Sequence, residues 1–554
     1  MRFSRFATRR DFIQGAAAAA TVALSPARAA AAAAAGVVSA GEGDARVGLA
    51  GVLVTNGRDV VATDADGRYT LPIEGDAIIS VIKPSGYAVP VEPGTNLERF
   101  FHIHQPGGTP ASLGLSGPGV DPTGPLPASV DFHLARREEP SKFRAILFAD
   151  PQPETDAEVD FIRDGVVAAL AGVDAAFGLT LGDITGDNLS LYPRINALIG
   201  QIGIPWRVAI GNHDLNYEAK DDSFARETFK RTFGPTHYAF ERGGALFIVL
   251  DNVVYHGADA SKPGSQGDYH DAISPGQLRF VENVLRHTPK DRLVIIATHI
   301  PLKSTWTDDG REVATQDTAE LLAIVGERPC VSFSGHTHMA EHRYILPSDD
   351  APASRAHRHQ VLATVSGSWW SGPYDSDGVA IADCCDGAPS GYYILDVDGA
   401  TCQARFHPTR ASRSPLLRAA LAERQDPGAD GPARLMEAKL TRRQAARTEL
   451  VVNAFDGGPR ANVSYRINGG APVAMARDYR VDPFVADVYA RNANVIKPWV
   501  AAVKSPHVWA APLPAELAPG PHSVDVTATG EFGEIGRTTI LFEIKGDDGS
   551  LALR

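Results

Sequence analysis

Five short motifs carry most of the chemistry in this 554-residue chain. They are Asp150-Pro151-Gln152, Gly182-Asp183-Ile184-Thr185-Gly186-Asp187-Asn188, Gly211-Asn212-His213-Asp214, His299-Ile300-Pro301 and Gly335-His336-Thr337-His338. Carboxylates, imidazoles and amides in this mixture suit a pair of divalent ions. A carboxylate such as Asp183 can bridge two metals, while neutral imidazoles and amide oxygens complete each shell. Two such ions bring about +4 and Asp150 with Asp183 bring −2, leaving about +2 when the other ligands are neutral. A site of that charge holds a phosphate beside an activated water and stabilises the charge that gathers on phosphoryl oxygens during in-line attack. Taken singly the motifs are weak, because Gly-Asp is a common turn, Asn-His-Asp a common helix cap and a lone His more often structural. Gly-His-Thr-His, with two imidazoles two residues apart, is stronger. The five in this order are specific.

The elements that must position them are legible from periodicity. Apolar runs at 143–149, 175–181, 206–210, 246–250, 293–298 and 330–334 read as strands, and each motif begins directly after one of them. Phe161, Ile162, Val166, Val167 and Leu170 recur at helical spacing, predicting a helix over 158–170. Ser274-Pro275 opens a second helix over 274–287, and a third is expected near 318–325. Strands alternating with helices imply a layered α/β domain, whose ligands bind in the crevice beyond the carboxyl ends of the strands. That address brings motifs far apart in sequence to one edge.

On these motifs the stretch from about Phe143 to Trp370 resembles the calcineurin-like metallophosphoesterases. The resemblance implies two packed β-sheets flanked by helices, a four-layer sandwich. It also implies hydrolysis of phosphate mono- or diesters by a hydroxide held between two divalent ions. It places Asp150, Gln152, Asp183 and His338 around one metal, and Asp183, Asn212, His299 and His336 around the other, with Asp183 bridging. His213 would face the substrate as phosphate contact or general acid, with Asp214 orienting it. The family pattern at the first motif is Asp-x-His, whereas this chain has Gln152. An amide oxygen is a harder, weaker ligand than imidazole, so manganese, iron or magnesium is expected over zinc, with manganese or iron favoured.

The rest of the chain divides by texture. Residues 1–29 read as a twin-arginine export signal, with Arg9-Arg10-Asp11-Phe12-Ile13, an Ala-rich apolar run and Ala27-Arg28-Ala29 as a cleavage pattern. Export to a periplasmic or secreted location through the twin-arginine machinery follows, with no lasting transmembrane anchor. Residues 30–45 read as an Ala-rich disordered segment. Residues 46–135 alternate short strands with Asn-Gly and Asp-Gly turns, resembling a small transthyretin-like β-sandwich. The phosphoesterase domain is set at 143–380. A C-terminal immunoglobulin-like β domain is set at 391–548, with a helical linker over 420–447.

A net charge of −13 argues against nucleic acid as a bulk partner and leaves a small-molecule, lipid or polymer phosphate ester as substrate. The alternative is a surface glycan- or polymer-binding protein built around a decayed phosphoesterase core. Intact motifs count against it. Of four cysteines, Cys384 or Cys385 is spaced to reach Cys402 in a disulfide, and Cys330 reads as a buried thiol. Trp369, Trp370 and Tyr374 are candidates to cover a leaving group, and segments 255–271 and 303–315 are candidate lids.

Overall fold

The computed structural model describes residues 32–41, 46–258, 267–308, 311–346, 356–410, 414–426 and 431–546. The proposed export signal therefore lies outside the described residues.

Two sheets face one another at the centre of the fold. The first has the strand order Trp206–Ala209, Phe177–Leu181, Lys142–Phe148, Gly391–Asp398, Thr401–Pro408. The second runs Tyr238–Arg242, Ala245–Val249, Val294–Ala297, Cys330–Ser334, His357–Val361, Glu341–Ile345. Phe143, Leu147, Leu179, Phe247, Ile295 and Phe333 fill the space between the sheets. Ile146, Phe148 and Val208 on the outer face of the first sheet pack against Val159, Ile162 and Ile195. Leu246, Ile248 and Ile296 do the same against Phe280, Val281 and Val284. Strands buried on both faces explain the continuous apolar runs in the sequence. The resulting helix–sheet–sheet–helix stack is a mixed α/β fold with β-rich flanks.

Lys142–Phe148, Phe177–Leu181 and Trp206–Ala209 run parallel, as do Val294–Ala297 and Cys330–Ser334. Their carboxyl ends therefore share an edge. The helix expected over 158–170 is present but begins at Asp156 and widens to a π-helical turn at Arg163–Val167. Pro275–Arg286 and Thr318–Val325 match their expected positions.

The structure corrects the sequence reading in four places. Ala33–Ala40, expected to be disordered, is a strand that pairs with Arg68–Pro72 and Phe132–Arg136. Its inward positions carry small residues because the chain crosses closely there: a Cβ on Gly36 would sit 1.9 Å from the Val130 carbonyl oxygen. The hairpin Gly391–Pro408, assigned by alternation to the C-terminal domain, pairs with Lys142–Phe148 and completes the first central sheet. Alternation reports a half-buried strand but not which sheet it joins. At the start of the proposed helical linker, Leu417–Glu423 is a strand paired with Thr448–Ala454, and the helix shrinks to Arg442–Ala445. The available partner strand overrides the helical propensity of an Ala-rich stretch. Finally, all four cysteines are free thiols.

Among the described residues two larger sheets follow from residue 417 onward, one ordered Leu417–Glu423, Thr448–Ala454, Val508–Pro512, Ala476–Arg477. The other is Lys439–Thr441, Ile535–Lys545, Gly520–Thr529, Asn462–Ile467, Val473–Ala474, and Val452, Trp509, Val524 and Phe542 pack between the two. Among the described residues no helix is long and apolar enough to cross a membrane.

Candidate metal centre

Every motif sits just beyond the carboxyl end of a parallel strand, and the backbone there is bent hard. Of eleven described non-glycine residues with positive φ, eight line this edge: Asp150, Gln152, Asp183, Asp187, His336, His338, Trp369 and Trp370. The left-handed region costs a residue with a Cβ roughly 1–2 kcal/mol, so a cluster of this kind is held in place by its surroundings. The glycines beside the candidate ligands make room for them. A Cβ on Gly211 would fall 2.1 Å from Asp183 Oδ1, and one on Gly335 would fall 2.1 Å from Asp150 Oδ2.

Asp183, His299 and His336 each point one ligand atom into a common space less than 4.8 Å across. His299 is fully buried, and its Nδ1 donates to the Leu181 carbonyl at 2.8 Å, which turns Nε2 inward. That Nε2 lies 3.0 Å from Asn212 Oδ1, 3.2 Å from Asp183 Oδ2 and 3.3 Å from His336 Nδ1. A ring nitrogen fixed by a backbone carbonyl, with its other nitrogen free, is the usual bearing of a metal-ligating histidine. Four acceptor-type atoms facing one another call for positive charge between them. The titration directions agree. Burial works against a charged His299, yet Asp183 outweighs it and raises the imidazole to about 9. Burial likewise opposes ionisation of Asp183, but His299 and His213 hold its carboxyl below the usual range. His336 is pushed down to about 3 by burial and by His299, leaving a neutral ring with an open lone pair.

The other half gathers Asp150, Gln152 and His338, all buried. His338 Nδ1 faces the Gly367 carbonyl at 2.5 Å and must donate to it, so Nε2 turns toward Gln152 Oε1 at 2.8 Å and Asp150 Oδ1 at 3.9 Å. Burial lowers His338 to about 4, so this Nε2 carries a lone pair that meets another acceptor. Asp150 receives the His336 backbone N–H on both carboxylate oxygens at 3.0 Å. Burial pushes its carboxyl upward. Carboxylate, amide and imidazole donors of this kind suit oxygen- and nitrogen-ligated divalent cations.

His213 lies at the rim and departs from expectation in its partner. Its Nδ1 is 2.5 Å from Asp187 Oδ1, not beside Asp214. Asp214 is instead fully buried and accepts from the Gly211 and Ile184 backbone amides at 2.9 and 3.0 Å and from the Tyr192 hydroxyl at 2.9 Å. The tight turn Asn212–Asp214 folds that carboxylate back on Gly211 and away from the imidazole. Asp214 thus braces the turn, and Asp187 orients His213. Burial opposes a charged His213, but Asp183 and Asp187 raise it to about 9. Asp187 was visible in its motif, four residues after Asp183, but nothing local shows that this turn points it at His213.

The aromatic residues divide. Trp369 stacks on His338 with ring centroids 3.8 Å apart. Trp370 is core: its Nε1 donates to the Pro151 carbonyl at 2.8 Å. Tyr374 is exposed and packs edgewise near Phe161. From the two candidate lid segments, Tyr269 and Trp306 present their rings to His336 at 6.4 and 6.2 Å.

Comparison with known proteins gives a consistent result. Residues 144–340 match the family model described as calcineurin-like phosphoesterase, and residues 37–113 and 359–535 match the models for its N-terminal and C-terminal regions. The serine/threonine-protein phosphatase CPPED1 of Bos taurus is 31% identical over 140 residues, covering 24% of this chain and 42% of that protein. The Rattus norvegicus counterpart is 32% identical over 141 residues, with the same coverage. The chain thus spans about two fifths of the length of these curated relatives. Among solved structures, a purple acid phosphatase from yellow lupin (Lupinus luteus) is similar at 12% identity with a TM-score of 0.35. It covers 68% of this chain and 66% of its own.

Proposed function

Because the chain belongs to the calcineurin-like phosphoesterases, we propose that it hydrolyses phosphate esters at a centre of two divalent ions. Asp150, Gln152, Asp183 and His338 would hold one ion, and Asp183, Asn212, His299 and His336 the other. The ions, when bound, supply an activated water and withdraw charge from the phosphoryl oxygens. The reading rests above all on one observation: ligand-type atoms converge in two buried clusters, His299 Nε2 against Asn212 Oδ1 and Asp183 Oδ2, and His338 Nε2 against Gln152 Oε1 and Asp150 Oδ1.

His213 carries the proton for the departing oxygen, and Asp187 fixes its tautomer by accepting from Nδ1, leaving Nε2–H as the transferable proton. Raised to about 9, the imidazole is protonated at neutral pH, as a general acid must be. Trp369 keeps the His338 ring from turning. Tyr269 and Trp306 flank His336 and give a leaving group flat apolar walls. This arrangement serves monoesters and diesters alike.

Release of nitrophenol from mono- and bis-nitrophenyl phosphate with manganese tests the activity. Wild-type turnover that disappears in Asp183→Asn is the expected result. No metal-dependent turnover on either compound would leave the polymer-binding alternative in its place. We assign the protein to the periplasm or the secreted fraction on its Arg9-Arg10 signal. Replacing both arginines with lysine is expected to retain the full-length precursor in the cytoplasm, and unchanged export by fractionation would exclude the twin-arginine route.

A further inference from the structure

Lys497 lies far from the five motifs in sequence, on the segment after the helix Pro483–Arg491. Yet its Nζ sits 2.9 Å from Glu158 Oε1 and 3.1 Å from Glu154 Oε1. The ammonium is not aligned to donate a hydrogen bond to either, so the interaction is between charges. Its side chain is 19% exposed, and its backbone N–H donates to Ser371 Oγ at 3.2 Å, which fixes where the stem begins. One cation thus joins two neighbouring carboxylates, Glu158 largely buried and Glu154 partly exposed, that would otherwise repel each other.

The Glu158 carboxylate and the Glu154 backbone hold the loop that carries Gln152. Glu158 Oε2 accepts the Glu154 backbone N–H at 2.6 Å, and the Glu154 carbonyl accepts from Asn188 Nδ2 at 3.2 Å. Gly186 N donates to the Pro153 carbonyl at 2.9 Å, and Gln152 N donates to the Asp183 carbonyl at 3.0 Å. The 150–154 and 183–188 loops are therefore knitted together, and their outer edge is tied to Lys497. A second tie runs from the same part of the chain to His338. His507 Nε2 lies 2.7 Å from Asp386 Oδ2, which also accepts the Ala340 N–H at 2.7 Å, while Cys385 N donates to the His338 carbonyl at 3.2 Å. Both ties reach the Gln152–His338 half.

We propose that Lys497 is a positioning residue for the Gln152–His338 half of the centre, acting through Glu154 and Glu158. The proposal rests on the reading that this half holds a metal ion. Removing the ammonium leaves Glu158 without its counter-ion, its grip on the Glu154 N–H loosens, and the loop bearing the left-handed Gln152 relaxes with it. The Asn212–His299–His336 half, braced by Leu181, is left as it was.

Calorimetric titration of the metal-free full-length protein with manganese tests this. Wild type is expected to bind two equivalents. K497M should weaken one of them about tenfold, leave the other unchanged and melt within a degree or two of wild type. K497R should restore it, and K497M/Q152A should bind no more weakly than Q152A, because both act on the same step. Unchanged binding in K497M, equal weakening of both equivalents, or K497R as weak as K497M would each overturn the proposal. A wild-type chain that takes up no manganese would overturn the metal-centre reading itself.

Discussion

The two halves of the candidate centre are supported in different ways. Asn212, His299 and His336 lean on the motif loops and the strands beneath them: His299 on the Leu181 carbonyl, Asn212 through the Tyr217 hydroxyl on its own carbonyl, and the 335–336 turn on the His299 carbonyl and the Asp150 carboxylate. All of these contacts lie within residues 150–336. Gln152 and His338 instead depend on chain that comes later. Gly367 fixes the His338 ring, Trp369 stacks on it, Cys385 and Asp386 hold its loop, and Lys497 ties down the approach to Gln152. One half is held by chain that lies between the first and last motifs, and the other by chain that follows the last of them. The half that departs from the family pattern, with an amide in place of an imidazole, is also the half that borrows its support.

Asp183 is the residue proposed to serve both halves, so its loss should have the largest effect. Asp183→Asn should lower kcat/KM by at least about a thousandfold, roughly 4 kcal/mol of transition-state stabilisation. It should also remove both metal-binding steps, and a variant that lost only one would show that Asp183 does not bridge.

Asp187→Asn should cost about a hundredfold in kcat with little change in metal content, because it acts on His213 and not on the ions. Its pH profile carries the sign. Asp187 helps raise His213 above its ordinary value, and the protonated imidazole is the active form. The rate in wild type should therefore fall as pH rises through the His213 pKa, and in Asp187→Asn that fall should begin at lower pH. An alkaline limb left in place would return the orienting role to another group.

Gln152→His restores a nitrogen ligand to the borrowed half. Zinc retained after dialysis should rise about tenfold on one equivalent, measured by elemental analysis, with the other equivalent unaffected. No change would mean that the amide does not touch the metal. The smallest effect is expected from Trp369→Ala, which unstacks His338 at a cost of about 1 kcal/mol, a loss of roughly fivefold in affinity for one manganese. A shift in both binding steps would show that the two halves are not separable.

The candidate ligands were legible early because each sits directly after an apolar run, and a parallel strand buried on both faces leaves a plain mark in sequence. The same rule placed the strands before Asp150, Asp183, Asn212, His299 and His336 close to where they lie. It failed for Ala33–Ala40, where small residues imitate low complexity, and for Gly391–Pro408, where alternation was clear but the partner strand was not. Adjacency in sequence suggests that Asp214 orients His213, but the one-turn helix gives the two side chains different partners, Asp187 for His213 and the Gly211 and Ile184 amides for Asp214.

What the sequence determined by itself is the kind of chemistry: ligand types, their order and their strand-end address are local properties, written in residues next to one another. What the tertiary structure alone decided is how each ligand is held. The Asp187–His213 pair joins residues 26 apart, the Trp369–His338 stack 31 apart, and the Lys497–Glu158 pair 339 apart. No periodicity or propensity couples such positions, because the free energy that brings them together comes from burying the sheets and their flanks, and only the packed fold fixes which side chains then meet.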